Sequence, residues 1–247
     1  MNPPLFALHG SFGRGSDWSA VAEQLGRPVL APDLPGHGAR FTQPAESFDA
    51  TVAELLDQLP PGADLLGYSL GGRLALAVAL AATARSLPIR SLVLESAHPG
   101  LAGEQAAARA ALDDARALQL ASDPAAFLEQ FYAAPLFASF RSSGLFGATF
   151  EERIRLAQRD PAALAATLRA LSPGRQPNLA PALAAAKLPT LFVSGALDTK
   201  YTELGTELAA NSSHIQQAVI AGAGHNVHLE QPIAFAAAAR SFWESLP

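Results

Sequence analysis

Residues 67 to 71 read Gly-Tyr-Ser-Leu-Gly, a G-x-S-x-G spacing that sets one hydroxyl between two glycines. A serine hydroxyl is a weak base and a weak nucleophile until a neighbouring histidine takes its proton. That histidine in turn needs a carboxylate to fix its tautomer and to stabilise the imidazolium. The chain supplies both groups later, Asp198 in Ser194-Gly195-Ala196-Leu197-Asp198-Thr199-Lys200 and His225 in Ala221-Gly222-Ala223-Gly224-His225-Asn226. Singly, each of these is an ordinary loop residue. Together, in the order Ser, Asp, His, they read as a triad of Ser69, Asp198 and His225. Charge developing on a substrate oxygen needs N–H donors, and two backbone groups fit. One is the N–H of Leu70, directly after the serine; the other is that of Ser11, in His9-Gly10-Ser11-Phe12-Gly13.

These residues have to be held by regular elements, and short apolar runs alternate with helical stretches along the chain. Strands are expected at 5–8, 29–31, 64–67, 91–95, 190–194 and 217–220, and helices at 18–25, 48–59, 70–82, 201–210 and 233–245. Alternation of this kind predicts a mainly parallel sheet flanked by helices, an α/β fold. Ser69, Asp198 and His225 then all fall just past the carboxyl ends of strands, and 70–82 begins the helix that a sharp nucleophile turn requires. Between 95 and 190 no strand is convincing, whereas 104–120, 124–132, 150–158 and 161–171 read as helices. The expected domain organisation is a core of 1–98 and 188–247 with a helical cap inserted at 99–187. Such a cap would cover the strand ends where open α/β sheets bind ligands.

The chain has 247 residues, of which 16% are charged and 49% apolar, with a formal net charge of −5. No broad basic face for nucleic acid is expected. Cysteine is absent, which excludes thiolate chemistry, disulfides and Cys-ligated metals. Of the 17 cationic residues only Lys187 and Lys200 are lysine. Met1-Asn2-Pro3-Pro4 has no basic leader, so no signal peptide is expected, and no run is long and apolar enough for membrane insertion. A cytoplasmic setting and a monomer or small homo-oligomer are the corresponding expectations. No H-x-x-x-H helix or carboxylate cluster suggests a metal, and no cofactor is expected. Asp33, in Pro32-Asp33-Leu34-Pro35-Gly36-His37-Gly38, reads as a turn-shaping carboxylate, and His37 as structural. His228 and His214 read as surface residues or as support for the site.

Several of these segments resemble known hydrolases. Leu8-His9-Gly10, the turn 33–38 and Gly67-Tyr68-Ser69-Leu70-Gly71-Gly72-Arg73 are similar to those of α/β-hydrolases in general. Three others are narrower: Glu95-Ser96-Ala97-His98-Pro99-Gly100-Leu101, Gly195-Ala196-Leu197-Asp198-Thr199-Lys200-Tyr201 and Ala223-Gly224-His225-Asn226-Val227-His228-Leu229-Glu230. Together they resemble the MenH family, the 2-succinyl-6-hydroxy-2,4-cyclohexadiene-1-carboxylate synthases of menaquinone biosynthesis, over nearly the whole chain. The resemblance implies an α/β-hydrolase fold used by a lyase, one that eliminates pyruvate from an enolpyruvyl cyclohexene precursor bearing a succinyl group. It implies a small anionic polycarboxylate as substrate, bound by Arg73, Arg109 and Arg159, with Tyr68 donating to a substrate oxygen. Without it, Arg109 and Arg159 would read as solvated helix-face charges. Phe131-Tyr132 stands where the family often has Trp-Tyr, so Phe131 would line the site without an indole N–H. The amino-terminal antiparallel strands common in these hydrolases read as trimmed. A serine ester or carbon–carbon bond hydrolase of the same superfamily is the alternative, because a triad alone does not separate base from nucleophile.

Overall fold

The computed structural model describes residues 3–246; Met1 and Asn2, on which the reading of the amino terminus partly rests, lie outside the described residues. Six strands form one sheet: β1 (Leu5–Leu8), β2 (Val29–Leu30), β3 (Ala63–Tyr68), β4 (Ile89–Glu95), β5 (Thr190–Gly195) and β6 (Ile215–Ile220). Their spatial order is β2-β1-β3-β4-β5-β6, and every adjacent pair is parallel. The central strands are buried on both faces, which is why they read as continuous apolar runs without polar alternation.

Alternate residues of each strand feed two separate cores. Phe6, Leu8, Leu65, Leu92, Leu94 and Phe192 face one side, where α2 (Phe48–Asp57), α3 (Leu70–Ala84) and part of α10 (Thr199–Ala210) pack. Leu5, Ala7, Leu66, Val93 and Leu191 face the other, against Val21 of α1 (Ser19–Leu25) and Phe235, Phe242 and Trp243 of α12 (Pro232–Glu244). Asp64 is a buried charge in β3, and it is held by Arg90 at 3.0 Å and by the Ser91 hydroxyl at 2.5 Å. A buried carboxylate is costly to the fold unless it is paired and hydrogen-bonded in this way.

Between β4 and β5 the chain is helical. α4 (Gly103–Ser122), α5 (Pro124–Ala133), the single turn α6 (Ala138–Arg141), α7 (Phe146–Ala157) and α8 (Pro161–Ala170) build the cap around an aromatic cluster of its own. Asp123 and Asp160 start α5 and α8 by accepting backbone N–H bonds at 3.0 and 2.9 Å, each followed by Pro at the first helical position. At α9 (Ala180–Ala185), Leu179 and Leu183 pack into the sheet-side cluster with α3, which Leu136, Ala170 and Leu171 of the inserted segment also join. Among the described residues, no helix is long and apolar enough to cross a membrane.

The turn at the head of α3 depends on close backbone approach. A side chain at Gly71 would place its Cβ against the carbonyl oxygens of Leu8 and His9, and one at Gly67 would meet the backbone of Gly71 and Gly72. Gly71→Ala is therefore expected to destabilise the fold by about 1–3 kcal/mol, read as a lower urea midpoint at unchanged slope.

Two buried histidines fix the neighbouring loops. His9 donates from Nδ1 to the Gly10 carbonyl at 2.8 Å and accepts the Leu34 N–H at Nε2 at 2.9 Å. His37 donates from Nδ1 to the Pro35 carbonyl at 2.8 Å, and burial, together with the adjacent His9, lowers its pKa from 6.5 to about 3. The unfolded imidazole takes a proton that the folded one refuses. Stability is thus full above about pH 6.5 and is lost as the pH falls toward about 3. Urea midpoints between pH 7 and pH 4 are expected to fall less steeply in His37→Asn. Asp33 shapes this region as the sequence suggests, accepting the N–H groups of Gly15 at 2.8 Å and Ala39 at 2.7 Å.

Candidate active site

Ser69 sits at the tip of the β3–α3 turn with φ of 50°, a left-handed conformation that few non-glycine residues adopt. Its N–H donates to the Glu95 carbonyl at 2.9 Å and its carbonyl accepts the Arg73 N–H at 3.1 Å. The strained turn is held from both sides, and the hydroxyl projects past the strand end. Asp198 follows β5 and caps α10, where Oδ1 faces the Tyr201 N–H at 3.4 Å. His225 follows β6. Its Nδ1–H donates to Asp198 Oδ2 at 2.7 Å, which leaves Nε2 as the acceptor for the Ser69 hydroxyl at 3.4 Å. The structure therefore brings Ser69, His225 and Asp198 into one line of hydrogen bonds, with the imidazole in the tautomer that can accept the serine proton.

The rings of Tyr68, Tyr201 and Phe137 surround His225 at 5.3, 4.9 and 5.7 Å between centroids. Burial, and then the Asp198 carboxylate, pushes the Tyr201 pKa up to about 12, so it stays a neutral phenol. Ser11 and Leu70 both line the cavity above the serine. Neither of their N–H groups has an acceptor among the described residues. Phe12, next to Ser11, has φ of 61° and packs edge-on against both Phe127 and Phe131 of the cap, at 5.8 and 4.9 Å. The loop that offers the Ser11 N–H is thereby anchored to the cap by an aromatic contact.

The cavity holds about 540 Å³ between the strand ends and the cap. Among the described residues, its lining includes Arg73, Arg109, Arg116 and Lys200, and no aspartate or glutamate. Arg73 is buried, donating to the side-chain oxygen of Gln176 and to the Leu171 carbonyl, the latter at 2.7 Å. Both partners are neutral. Burial, reinforced by the charge of Arg109, lowers its pKa to about 9. Arg109 and Arg116 lie on α4 and are both aimed by buried Asp113, at 2.8 and 3.1 Å, which also accepts the Ser172 hydroxyl at 2.7 Å.

The structure departs from the sequence reading at two positions, Arg159 and Tyr68. Arg159 does not reach the cavity. It lies exposed beyond the end of α7, its guanidinium 3.6 Å from the centre of the Phe41 ring, so stacking holds it outside. The buried arginine of that segment is Arg153, which donates to Asp17 at 2.9 Å and borders a small recess next to Ser69. Tyr68 is not free to donate to a ligand in this structure, because its hydroxyl donates to the Asn226 side chain. His228 is fully buried: its N–H and its Nδ1–H both donate to Glu95, at 3.1 and 2.9 Å, and its ring stacks on Trp18. Glu95 thus ties the loop bearing His225 to the strand that holds the Ser69 turn.

Phe131 lines the cavity with an apolar ring, packed at 5.0 Å from Phe137. Sequence reasoning missed Arg116, Lys200, Arg153 and Asn226 as neighbours of the site. Arg116 could have been found from its one-face spacing with Arg109 and Asp113 on a helix. Nothing in the sequence marks Arg153, whose burial follows from how α7 packs on the β1 loop.

Residues 5–238 match the model of the alpha/beta hydrolase family. The chain is 37% identical over 243 residues to the 2-succinyl-6-hydroxy-2,4-cyclohexadiene-1-carboxylate synthase of Salmonella agona, covering 93% of this chain and 89% of that one. The match to the same synthase of Salmonella newport has the same identity and coverage. Among solved structures, MenH from S. aureus superposes with a TM-score of 0.85 at 29% identity, over 99% of this chain and 94% of the other. A thermophilic esterase from Thermogutta terrifontis, solved with malate bound, gives 0.80 at 23% identity over 99% and 90%, a likeness of fold alone. With such identity sustained across most of both sequences, the chain belongs to the 2-succinyl-6-hydroxy-2,4-cyclohexadiene-1-carboxylate synthase family, a branch of the α/β hydrolases.

Proposed function

We propose that this enzyme is a carbon–oxygen lyase of menaquinone biosynthesis. It eliminates pyruvate from 2-succinyl-5-enolpyruvyl-6-hydroxy-3-cyclohexene-1-carboxylate to give 2-succinyl-6-hydroxy-2,4-cyclohexadiene-1-carboxylate. The observation that carries this reading is the cavity over Ser69, whose lining among the described residues has four cationic side chains and no carboxylate. An enzyme for neutral esters has no use for that field, whereas a substrate with several carboxylates requires it.

In this reading Ser69, relieved of its proton by His225 and with Asp198 fixing the imidazole, removes the ring proton beside the succinyl carbonyl. The Ser11 and Leu70 N–H groups hold the resulting enolate oxygen. Collapse of the enolate carries the electron pair through the ring double bond to the carbon bearing the enolpyruvyl oxygen. That carbon–oxygen bond breaks, and the imidazolium of His225 returns a proton as pyruvate leaves. Arg73 and Arg109 hold carboxylates throughout, with Arg116 and Lys200 adding positive charge to the cavity wall. General-base assistance of this kind contributes about 10²–10⁴-fold and an oxyanion donor about 10²–10³-fold.

The test is a lactate dehydrogenase-coupled assay of pyruvate release from the enolpyruvyl substrate, with saturable release expected. No pyruvate, together with an acyl-enzyme burst on p-nitrophenyl acetate, would overturn the lyase in favour of an ester hydrolase.

A further inference from the structure

His98 stands three residues past the end of β4, in the wall of the cavity beside Arg73 and Lys200. One of its ring nitrogens is already used. Nδ1 accepts the Gly100 N–H at 3.1 Å, and an imidazole nitrogen that accepts carries no proton. The neutral ring must then hold its proton on Nε2. No described residue accepts from Nε2, and it is not among the buried polar atoms left without a partner. It is an open donor.

The short turn that imposes this tautomer is itself tightly determined. Gly100 has φ of 137°, in the region L side chains rarely adopt, and a Cβ there would meet the Pro177 carbonyl oxygen at 2.6 Å. The N–H at position 100 is therefore pointed at the ring by a backbone that only glycine accommodates. The charge state is determined as well. Burial, followed by the fields of Arg73, Arg109 and Lys200, lowers the His98 pKa to about 3, and so the ring is neutral at any working pH.

We propose that His98 is a specificity-determining residue, a neutral donor whose Nε2–H binds an oxygen acceptor of the substrate, a carboxylate or the succinyl carbonyl, that the neighbouring cations attract. The lyase reading supplies the ligand class on which this rests. The chemistry explains why a neutral group is placed among cations. A cation attracts an anion from many directions, whereas a fixed N–H demands an acceptor at one point. With Nδ1 occupied, the ring cannot reverse its role, and a ligand offering a hydroxyl or amine hydrogen at that point leaves two donors facing each other. Sites built this way reject wrong groups far more strongly than sites that select on size.

The test uses His98→Ala, which removes the donor, and His98→Gln, whose side-chain amide places an N–H near the position of Nε2–H. Two quantities are read for each: KM for the enolpyruvyl substrate, and the dissociation constant for 2-succinylbenzoate, an unreactive dicarboxylate carrying the same succinyl chain, by calorimetry. His98→Ala is expected to raise both by about ten- to a hundredfold, the effect of losing one hydrogen bond to a charged acceptor. His98→Gln is expected to recover most of that loss. If the unmodified enzyme released no pyruvate, the lyase reading would fail, and the dissociation constants would still decide the role of His98. Values for His98→Ala within about twofold of the unmodified protein would overturn the proposal, as would a His98→Gln variant no better than the alanine.

Discussion

Replacing Ser69 with alanine is expected to lower the rate of pyruvate release by about 10²–10⁴-fold, the contribution of a positioned general base, while KM changes little. The expectation follows from geometry. Ser69 extends the His225–Asp198 line into the cavity, with its hydroxyl 3.4 Å from Nε2. Alanine retains the same Cβ in the same left-handed turn, so the elbow, the Leu70 N–H and the carboxylate contacts persist. Only the proton acceptor is lost. Binding of 2-succinylbenzoate and the melting temperature should both be unchanged, which separates lost chemistry from lost folding. A primary deuterium isotope effect on the ring C–H in the unmodified enzyme would show that removal of the ring proton limits turnover. Undiminished turnover in Ser69→Ala would sink the mechanism.

The second large effect is expected at Arg73. Its guanidinium is buried, pairs with a side-chain amide oxygen and a backbone carbonyl, and has no carboxylate partner among the described residues. A buried cation left in that state is costly to the fold and useful only to an anionic ligand. Arg73→Met should therefore lower kcat/KM by about 10²–10⁴-fold, the loss of a bidentate pair of charge-assisted bonds at about 1.5–3 kcal/mol per bond. Its melting temperature should be no lower than that of the parent, because apolar packing replaces an unpaired buried charge. Arg73→Lys should recover little, since an ammonium cannot reproduce the planar fork. The pH dependence has a definite sign. With a pKa near 9, Arg73 is charged below that pH and loses its charge above it, so affinity for the dicarboxylate should decline as the pH rises through about 9. Unchanged kcat/KM in Arg73→Met would remove this residue from the site.

Much of the core was legible in the sequence because a parallel sheet has strong local rules. Strands buried on both faces must be apolar throughout, and helical stretches follow them along the chain. All six strands are found where the apolar runs are, with shifts of one or two residues at their ends. The extra length of α4 and the short α9 were not legible. A helix end depends on what the last turn packs against, and α9 is recognisable only by Leu183 entering the sheet-side core.

The reactive hydroxyl had the same character. Gly67 and Gly71 mark a turn in which backbones touch, and Asp198 and His225 follow strands whose neighbours in the sheet are determined by connection handedness. Local chemistry plus chain order sufficed to group Ser69, Asp198 and His225. The arginines were another matter. Which face of a cap helix turns inward depends on the packing of one amphipathic helix on another, and exposed and buried arginines look alike in a sequence. The sequence alone therefore determined the turn, the strand ends and the proton-transfer line. Tertiary packing decided which cations face the substrate, burying Arg153 and sending Arg159 out onto Phe41. It also bound Tyr68 to Asn226 and turned His98 into a donor with one free hydrogen. The physical reason is that backbone conformation is encoded within a few residues, whereas the partner of a long polar side chain is set by groups that only folding brings near.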